Sequence, residues 1–346
     1  MQAVRIARES AKTGDLVGRV LCHELRGDDG RVALAKGRIL DDADAQRALE
    51  LSWSELHLLA LADGDVHEDA AGDRIARLVA GDGIAVRPPS GGHWPLASTR
   101  RGLLRVDAAR LARLNELEGP CVYSLYDGQV VEAGEVVARA KIIPFAIGAR
   151  TMADVESVCA DGGGAVAVRA FEPRRIGAVV HQSLGDRAAS RFRDAVAEKI
   201  AWFGSSLGTL VTAAPAAASI IDALRSARGD DANIVLVAGT KAMDLLDPTF
   251  ASLDRVGARM IAHGVPAHPG SLLWLAEWDG VPIVGMPTCG LFAQATVFDL
   301  VIARLLTGER LGRRELAALG HGGFLTRDMA FRLPAYRAAT ERGAVE

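Results

Sequence analysis

Apolar residues in the second half of the chain fall into short runs that end at glycine. The clearest examples lie between Asn233 and Leu300, where NIVLVAG, ARMIAHG and VPIVG are each followed by a loop. An apolar run of this length that stops at glycine is typical of a buried parallel strand that ends at a ligand-facing edge. Three such runs close together in sequence predict one pocket.

From Arg175 onward, predicted strands and helices alternate. The strands are IGAVVHQS, GTLVTAA, NIVLVAG and ARMIAHG, and LLWLAEWDGVPIVGM is expected to form a hairpin. Helices are predicted over 186–203, 216–228, 248–257 and 293–307. This order predicts an α/β domain of three layers, α/β/α, with a mostly parallel sheet. Ligands bind beyond the carboxyl ends of such strands, where the loops at Gly239 and Gly285 fall.

The first half of the chain predicts a mixed α+β region. LVGRVLCHEL and SELHLLAL have strand character, and a helix is expected after Asp41 or Asp42 as its N-cap. Residues 65–83 have the spacing of an amphipathic helix. Residues 84–100 contain three prolines and two glycines, which predicts a loop that can subdivide the region.

A small β unit is expected later in this region. Turn signals at Asp127-Gly128 and Ala133-Gly134 predict a compact antiparallel unit over 121–147, and a helix follows near 149–159. The short polar segment 172–177 predicts a domain boundary. We therefore expect domains at 1–174 and 175–346.

Composition excludes several classes of protein. Apolar residues make up 49 % of the chain and its net charge is −3. Basic residues form no block, so nucleic-acid binding is not expected. The four cysteines lie far apart, which argues against a zinc site or disulfides and favours a reducing cytosol. The charged N-terminus and the lack of any run of 18 apolar residues predict a cytoplasmic protein that does not enter a membrane.

Loop one, residues 239–247, carries the most chemistry. Gly239, Thr240 and the following amides can approach an anion, Lys241 can neutralise a phosphate, and Asp244 or Asp247 can hold Mg²⁺ beside it. The alternative is structural, because Asp247 followed by proline is typical of a helix N-cap. Neither a Walker loop nor a GxGxxG motif is present.

Two further loops supply candidate ligand contacts. In loop two, residues 264–271, the candidates are His268, Gly270 and Ser271, and His268 can equally be an exposed structural residue. Loop three, residues 285–290, leads into a helix whose N-terminus favours bound negative charge. Its candidates are Gly285, Pro287, Thr288 and Cys289. A thiolate nucleophile at Cys289 is disfavoured because no His/Asp partner set is evident.

Together these loops resemble the molybdopterin-binding domain of molybdenum cofactor biosynthesis proteins, the gephyrin-like group. The segments that carry the resemblance are VLVAGTKAMDLLDP, HGVPAHPGSLLWLAEWDGVPIVG and GMPTCGLFAQATVFDLVIARLL. It is closest to the domain associated with molybdenum cofactor cytidylyltransferase, through VPAHPGSLL, MPTCG and GHGGFL. Upstream, LAKGRIL, GLLRVDAARLARLN and VVARAKIIPFAI extend the resemblance over most of the chain.

The chain departs from this family at defined positions. Thr240 and Thr288 replace loop glycines, and residues 292–296 replace a Ser-Pro-Lys-x-Asn segment. The loss of that lysine and asparagine removes a cation and an amide from the expected site, so the resemblance implies binding more strongly than catalysis. Asp247 matches the aspartate that ends the family's first loop, which the resemblance implies positions Mg²⁺ or the nucleotide. The LAAGxGxRxG loop of the fused cytidylyltransferase is absent.

The resemblance implies a protein that binds molybdopterin or its nucleotide form and makes or hands on molybdenum cofactor. Its expected partners are the pterin ligand and a molybdoenzyme or another cofactor-biosynthesis protein. The alternative is an enzyme of the same fold that adenylylates molybdopterin or inserts molybdate, with catalytic Asp247, Mg²⁺ on Asp247 and Asp244, and ATP. A third hypothesis is a Rossmann-like protein with an unrelated small ligand. Self-association is expected through the apolar stretch 272–278.

Overall fold

The chain folds into two compact units. The computed structural model describes residues 1–286 and 296–336. The N-terminal unit comprises residues 1–100, 104–127 and 132–168. The C-terminal unit comprises residues 101–103, residues 128–131 and the chain from Arg169 onward.

Short strands and five helices make up the chain as far as Ala170. The helices are α1 (Thr13–Leu16), α2 (Asp42–Glu50), α3 (Glu68–Val79), α4 (Ala108–Asn115) and α5 (Ala149–Val158). The strands are β1 (Gln2–Ala7), β2 (Val20–Leu21), β3 (Leu25–Arg26), β4 (Val32–Leu34), β5 (Glu55–Ala60), β6 (Val66–His67), β7 (Ile84–Val86), β8 (His93–Ser98), β9 (Gly102–Val106), β10 (Pro120–Ser124), β11 (Val130–Val131), β12 (Val136–Ile142), β13 (Ala146–Ile147) and β14 (Val166–Ala170).

Two sheets organise the N-terminal unit. One has the order β1-β5-β2 and the other β10-β12-β8-β7, and both are antiparallel. Helix α3 packs on β8 and β12, and it buries Ala71, Ile75 and Val79. Gly72 leaves room there for the indole of Trp94, since a Cβ at this position would lie 2.3 Å from the ring.

Sequence predictions in the N-terminal unit have mixed outcomes. The helix after Asp41 is confirmed, and the Asp41 side chain accepts a hydrogen bond from the Asp44 amide at 2.8 Å. The loop predicted over 84–100 is wrong, because β7 and β8 lie within it. Gly91 and Gly92, with φ of 59° and 71°, form the tight turn of this hairpin, and Pro95 joins the ladder through its carbonyl.

The β unit expected over 121–147 is present but is not self-contained. β10 pairs with β12, whereas β11 pairs with β9 and β13 pairs with β6. The turn signals mark the strand ends correctly. They do not identify the partners, because pairing depends on residues distant in sequence.

The C-terminal unit is built on a six-stranded sheet with the order β16-β15-β17-β20-β19-β18. Its strands are β15 (Arg175–His181), β16 (Ser206–Ala213), β17 (Ile234–Ala238), β18 (Arg259–His263), β19 (Trp274–Trp278) and β20 (Val281–Met286). Its helices are α6 (Asp186–Trp202), α7 (Ala217–Arg228), α8 (Pro248–Val256), α9 (Val297–Leu305) and α10 (Arg313–Ala317). The first four strands are mutually parallel, and β19 is antiparallel to both neighbours.

Helices cover both faces of this sheet. Side chains of β15 and β17 alternate between a core shared with α6 and α9 and a core shared with α7 and α8. Every residue of β17 is therefore buried, which is the reason for its continuous apolar sequence. The α/β fold class is confirmed. Within the described residues, no helix is both long enough and apolar enough to cross a bilayer.

The hairpin β19–β20 occupies the interior of the sheet. Trp274 lies opposite Gly285, and a Cβ at Gly285 would fall 1.8 Å from the indole. The stretch 272–278, predicted to be an exposed surface for self-association, is instead buried from Leu273 onward apart from the half-buried Glu277. The prediction was wrong because a buried strand and an exposed apolar edge have the same sequence pattern.

A substitution of Gly285 by alanine tests its structural role. We expect Gly285→Ala to lower the free energy of unfolding by about 2 kcal/mol or more, because the methyl group displaces the Trp274 ring in a packed core. Urea unfolding followed by tryptophan fluorescence measures the change. Gly14→Ala is the control, since a Cβ at Gly14 meets nothing within 4 Å. Equal losses in the two variants would contradict this role.

Candidate functional site

The loops identified in the sequence leave the sheet at one edge. β15, β17 and β20 are parallel, and β18 runs in the same direction because it is separated from β20 by the antiparallel β19. Loop one follows β17 and loop two follows β18. The chain also leaves β20 here, but Pro287, Thr288 and Cys289 of loop three lie outside the described residues.

Loop one is closed by the carboxylate of Asp247. This residue is the N-cap of α8, and its Oδ1 accepts a hydrogen bond from the Thr249 amide at 2.9 Å. Its Oδ2 accepts one from the Lys241 amide at 2.9 Å, across the mouth of the loop. The side chain is only 5 % exposed. The Asp247 side chain therefore caps the N-terminus of α8, as the structural alternative from the sequence predicted.

A buried histidine completes this network. The Thr249 hydroxyl donates to Asp247 Oδ1 at 2.6 Å, and His181 Nε2 lies 3.1 Å from the same hydroxyl oxygen. Because the Thr249 proton is used on Asp247, the imidazole donates through Nε2–H. His181 ends β15, so the network joins the carboxyl ends of two parallel strands to the start of α8.

The two ionisable groups in the network have shifted pKa values. Burial lowers the pKa of His181, against the opposing charge of Asp247, so the imidazole is neutral near pH 7. Burial acts to raise the pKa of Asp247. The hydrogen bonds from Thr249 and from the Lys241 amide, together with His181, outweigh it and lower that pKa. Asp247 is therefore a carboxylate at neutral pH.

The remaining side chains of loop one divide into buried and exposed groups. Thr240 is buried, with its hydroxyl 3.4 Å from that of Thr249. Lys241 and Asp244 are exposed, and Lys241 forms no ion pair with any described residue.

Gly239 has φ of 97°, and a Cβ there would lie 2.7 Å from both His181 and Leu184. Only glycine fits at this position.

Loop two is fixed by a second segment of the C-terminal unit. The His268 amide donates to the Gly323 carbonyl at 2.7 Å, and the Leu325 amide donates to the His268 carbonyl at 2.8 Å. The imidazole of His268 is exposed, with its ring centroid 6.5 Å from that of Phe324. The segment around Gly322 therefore supports loop two through backbone hydrogen bonds.

The other candidates of loops two and three have different environments. Gly270 has φ of 111° and packs against Val297 at the start of α9, while Ser271 is exposed. Gly285 is a buried residue inside β20 and does not belong to a loop. The predicted start of loop three at Gly285 is therefore too early, because glycine also serves packing within strands.

The donor set does not fit a metal ion held by Asp247. Both of its carboxylate oxygens already accept hydrogen bonds from loop one and α8, and only Asp244 faces solvent. Within residues 1–286 and 296–336, no group of three or more His, Cys, Asp or Glu side chains can hold a metal ion. The magnesium site predicted on Asp244 and Asp247 has no support in this geometry.

Sequence reasoning missed His181 and Thr249. The available signals were a histidine at the end of an apolar strand and a threonine two residues after an N-cap aspartate.

A second buried network was also missed. In it Asp299 of α9 binds Lys199 Nζ at 2.7 Å and the Tyr336 hydroxyl at 2.6 Å. A lone carboxylate within the apolar run VFDLVI was its signal.

A cleft of about 190 Å³ lies at the opposite edge of the sheet, near the starts of β17 and β20. Two of its acidic side chains are already paired, Glu277 with Arg259 and Glu309 with Arg304. None of the predicted site residues lines this cleft. It is therefore distinct from the edge that carries loops one and two.

Comparisons with known proteins give only weak likenesses. No family model and no curated protein matches the chain. A solved molybdopterin biosynthesis MoeA protein from Pyrococcus horikosii is similar at 12 % identity, covering 92 % of this chain and 77 % of that chain, with a TM-score of 0.31. Molybdenum cofactor biosynthesis protein B is similar at 10 % identity, with coverage of 41 % and 99 % and a TM-score of 0.29.

A third solved structure, a NadC deletion mutant, is similar at 11 % identity, with coverage of 54 % and 80 % and a TM-score of 0.17. The names of the first two belong to molybdenum cofactor biosynthesis. TM-scores this low do not establish a shared fold. The function is therefore inferred from the residues of the chain.

The lowered pKa of Asp247 has a measurable consequence. A carboxylate whose pKa is lower in the folded state stabilises the fold above its unfolded pKa of about 4, and this contribution is lost as the pH falls through the folded value. We expect Asp247→Asn to lower the free energy of unfolding at pH 7 by about 1–3 kcal/mol, and the difference from wild type to shrink below pH 4.

Asp244→Asn is the matched control, because Asp244 is an exposed aspartate of the same loop. Urea unfolding between pH 3 and pH 8 measures both variants. A loss for Asp247→Asn that does not change with pH, or an equal loss for Asp244→Asn, would show that the carboxylate does not act through its charge.

Proposed function

We propose that the chain binds molybdopterin, or its nucleotide form, at the carboxyl edge of the C-terminal sheet and takes part in making or handing on molybdenum cofactor. The observation that carries this proposal is that loops one and two leave the C-terminal sheet at the same edge. These are the segments in which the sequence resembles molybdopterin-binding domains. Ligands bind at such edges in parallel α/β sheets.

Loop one supplies the contacts expected for the phosphate end of the ligand. Lys241 is exposed and has no ion-pair partner in the described part of the chain, so its ammonium group is free to meet an anion. The loop backbone is fixed by Asp247, Thr249 and His181 before any ligand arrives. A loop that is ordered in advance loses less entropy on binding.

Binding or transfer is favoured over catalysis by the position of Asp247. An enzyme that adenylylates molybdopterin would use this residue to position Mg²⁺ or a nucleotide. Its carboxylate instead holds two backbone amides and a hydroxyl, and it is almost fully buried. We therefore assign Asp247 to the support of loop one and assign no chemical step to Mg²⁺ or ATP.

Calorimetric titration of molybdopterin tests the proposal. We expect Lys241→Met to weaken binding about tenfold, because it removes the cation that meets the phosphate while leaving the buried network intact. A tenfold loss corresponds to about 1.4 kcal/mol. Arg255→Gln is the control, since Arg255 is an exposed cation in the last turn of α8.

Two outcomes would count against the proposal. The first is no heat of binding with the folded wild-type protein. The second is an equal loss of affinity in Lys241→Met and Arg255→Gln, which would indicate a general effect of positive charge instead of a site at loop one.

A further inference from the structure

The cleft near the starts of β17 and β20, which we call the amino-edge cleft, has an apolar interior. One wall is formed by the sheet, through Ile234 of β17, Ile261 of β18 and Leu275 of β19. The other wall is formed by Leu305 of α9 and by Leu311, in the segment that follows this helix. The space between the two walls can therefore take up an apolar group.

The wall that follows α9 is held in place by a largely buried ion pair. Arg304 donates to both carboxylate oxygens of Glu309, at 2.6 Å and 3.1 Å, and only 12 % of each side chain is exposed. The Glu172 amide also donates to the Leu306 carbonyl at 2.7 Å. This wall is therefore ordered before a ligand binds, which lowers the entropy lost on binding.

Most of the charged side chains that line the cleft are paired with a group of opposite charge. Glu277 lies 3.4 Å from Arg259, and Glu309 is bound by Arg304. On the rim, the guanidinium group of Arg174 is paired with the carboxylate of Glu172. These three ion pairs leave no net charge in the cleft.

Among the described residues that line the cleft, only Arg310 carries a charge without a partner. Its side chain is exposed, and it forms no hydrogen bond or ion pair within residues 1–286 and 296–336. Asn233 supplies a second donor, because its Oδ1 accepts from the Arg175 amide at 3.0 Å and its NH2 group remains. The cleft therefore offers hydrogen-bond donors and one positive charge beside an apolar interior.

The volume of the cleft limits the size of the apolar group. The cleft measures about 190 Å³. A cavity of about 150 Å³ lined by aliphatic side chains and phenylalanine holds benzene, whereas drug-sized ligands occupy pockets of about 300–1,000 Å³. The amino-edge cleft is therefore large enough for one six-membered ring but too small for a nucleotide or for molybdopterin.

We propose that the amino-edge cleft binds a small organic monocarboxylate. The apolar body of the ligand lies between the leucine and isoleucine side chains, and its carboxylate accepts two parallel N–H bonds from Arg310. A monoanion fits better than a phosphate ester, because a second negative charge would lie near Glu277 and Glu309 without a cation to neutralise it. This site does not depend on the proposed function.

Benzoate is a suitable probe, since it combines one six-membered ring with one carboxylate. We expect benzoate to shift the methyl resonances of Ile234 and Ile261 in the full-length, methyl-labelled protein, with a Kd of about 1 mM or lower. Benzyl alcohol has the ring without the charge, and acetate has the charge without the ring, so each should bind about tenfold more weakly or worse. The absence of a saturable shift with benzoate, or equal binding of benzyl alcohol, would overturn the inference.

Substitutions of Arg310 test its contact with the carboxylate. Arg310→Gln should weaken benzoate binding about tenfold, because it removes a charged hydrogen-bond donor. Arg310→Lys should weaken it less, since the charge remains while the planar fork is lost. Arg314→Gln is the control, because Arg314 is an exposed arginine of α10 that does not line the cleft. Equal losses in Arg310→Gln and Arg314→Gln, or tighter binding of phenyl phosphate than of benzoate, would contradict the assignment.

Comparison with the molybdopterin titration separates the two proposals. Lys241→Met should bind benzoate like wild type, because loop one leaves the sheet at the opposite edge, and Arg310→Gln should bind molybdopterin like wild type. If benzoate binds as expected while molybdopterin gives no heat, the amino-edge cleft stands and the proposed function is rejected. If Arg310→Gln weakens molybdopterin binding as much as benzoate binding, the cleft is not a separate site and the inference is overturned.

Discussion

Parallel pairing of β15, β17 and β20 is the constraint on which the C-terminal unit depends. Helices cover both faces, so neither face has room for a ligand, and polar groups are confined to the strand ends. Close packing of these layers requires glycine within strands. Gly177 lets Ala227 approach β15, and Gly285 lets Trp274 lie across β20. The polar side chains that could contact a ligand therefore lie at the ends of the strands, because helices cover both faces of the sheet.

Much of this arrangement could be predicted from the sequence. The apolar runs ending at Gly239 and Gly264, and the alternation of strand and helix from Arg175 onward, depend on local patterns that the structure preserves. Predictions from local patterns were wrong where two different structures share the same sequence pattern. Gly91 and Gly92 indicated a loop but form a hairpin turn, and 272–278 resembled an exposed edge but is buried.

The parts of the site that could not be predicted depend on contacts distant in sequence. Nothing near His181 in the chain shows that its imidazole will meet Thr249, a residue of another segment, because only the parallel pairing of β15 with β17 brings them together. Lys199 and Asp299 form a similar case, a buried ion pair between two helices. For such groups the sequence shows a polar residue in an apolar setting, but it does not show the partner.

Buried carboxylates at the start of helices support the C-terminal unit by accepting hydrogen bonds from several donors. Asp247 receives three hydrogen bonds and Asp299 is bound by Lys199, Tyr336 and the start of its own helix, so both are explained by the fold. A matched motif drew attention to Asp247, yet unmet hydrogen-bonding capacity is the better physical sign of a ligand, because a satisfied carboxylate gains little from one.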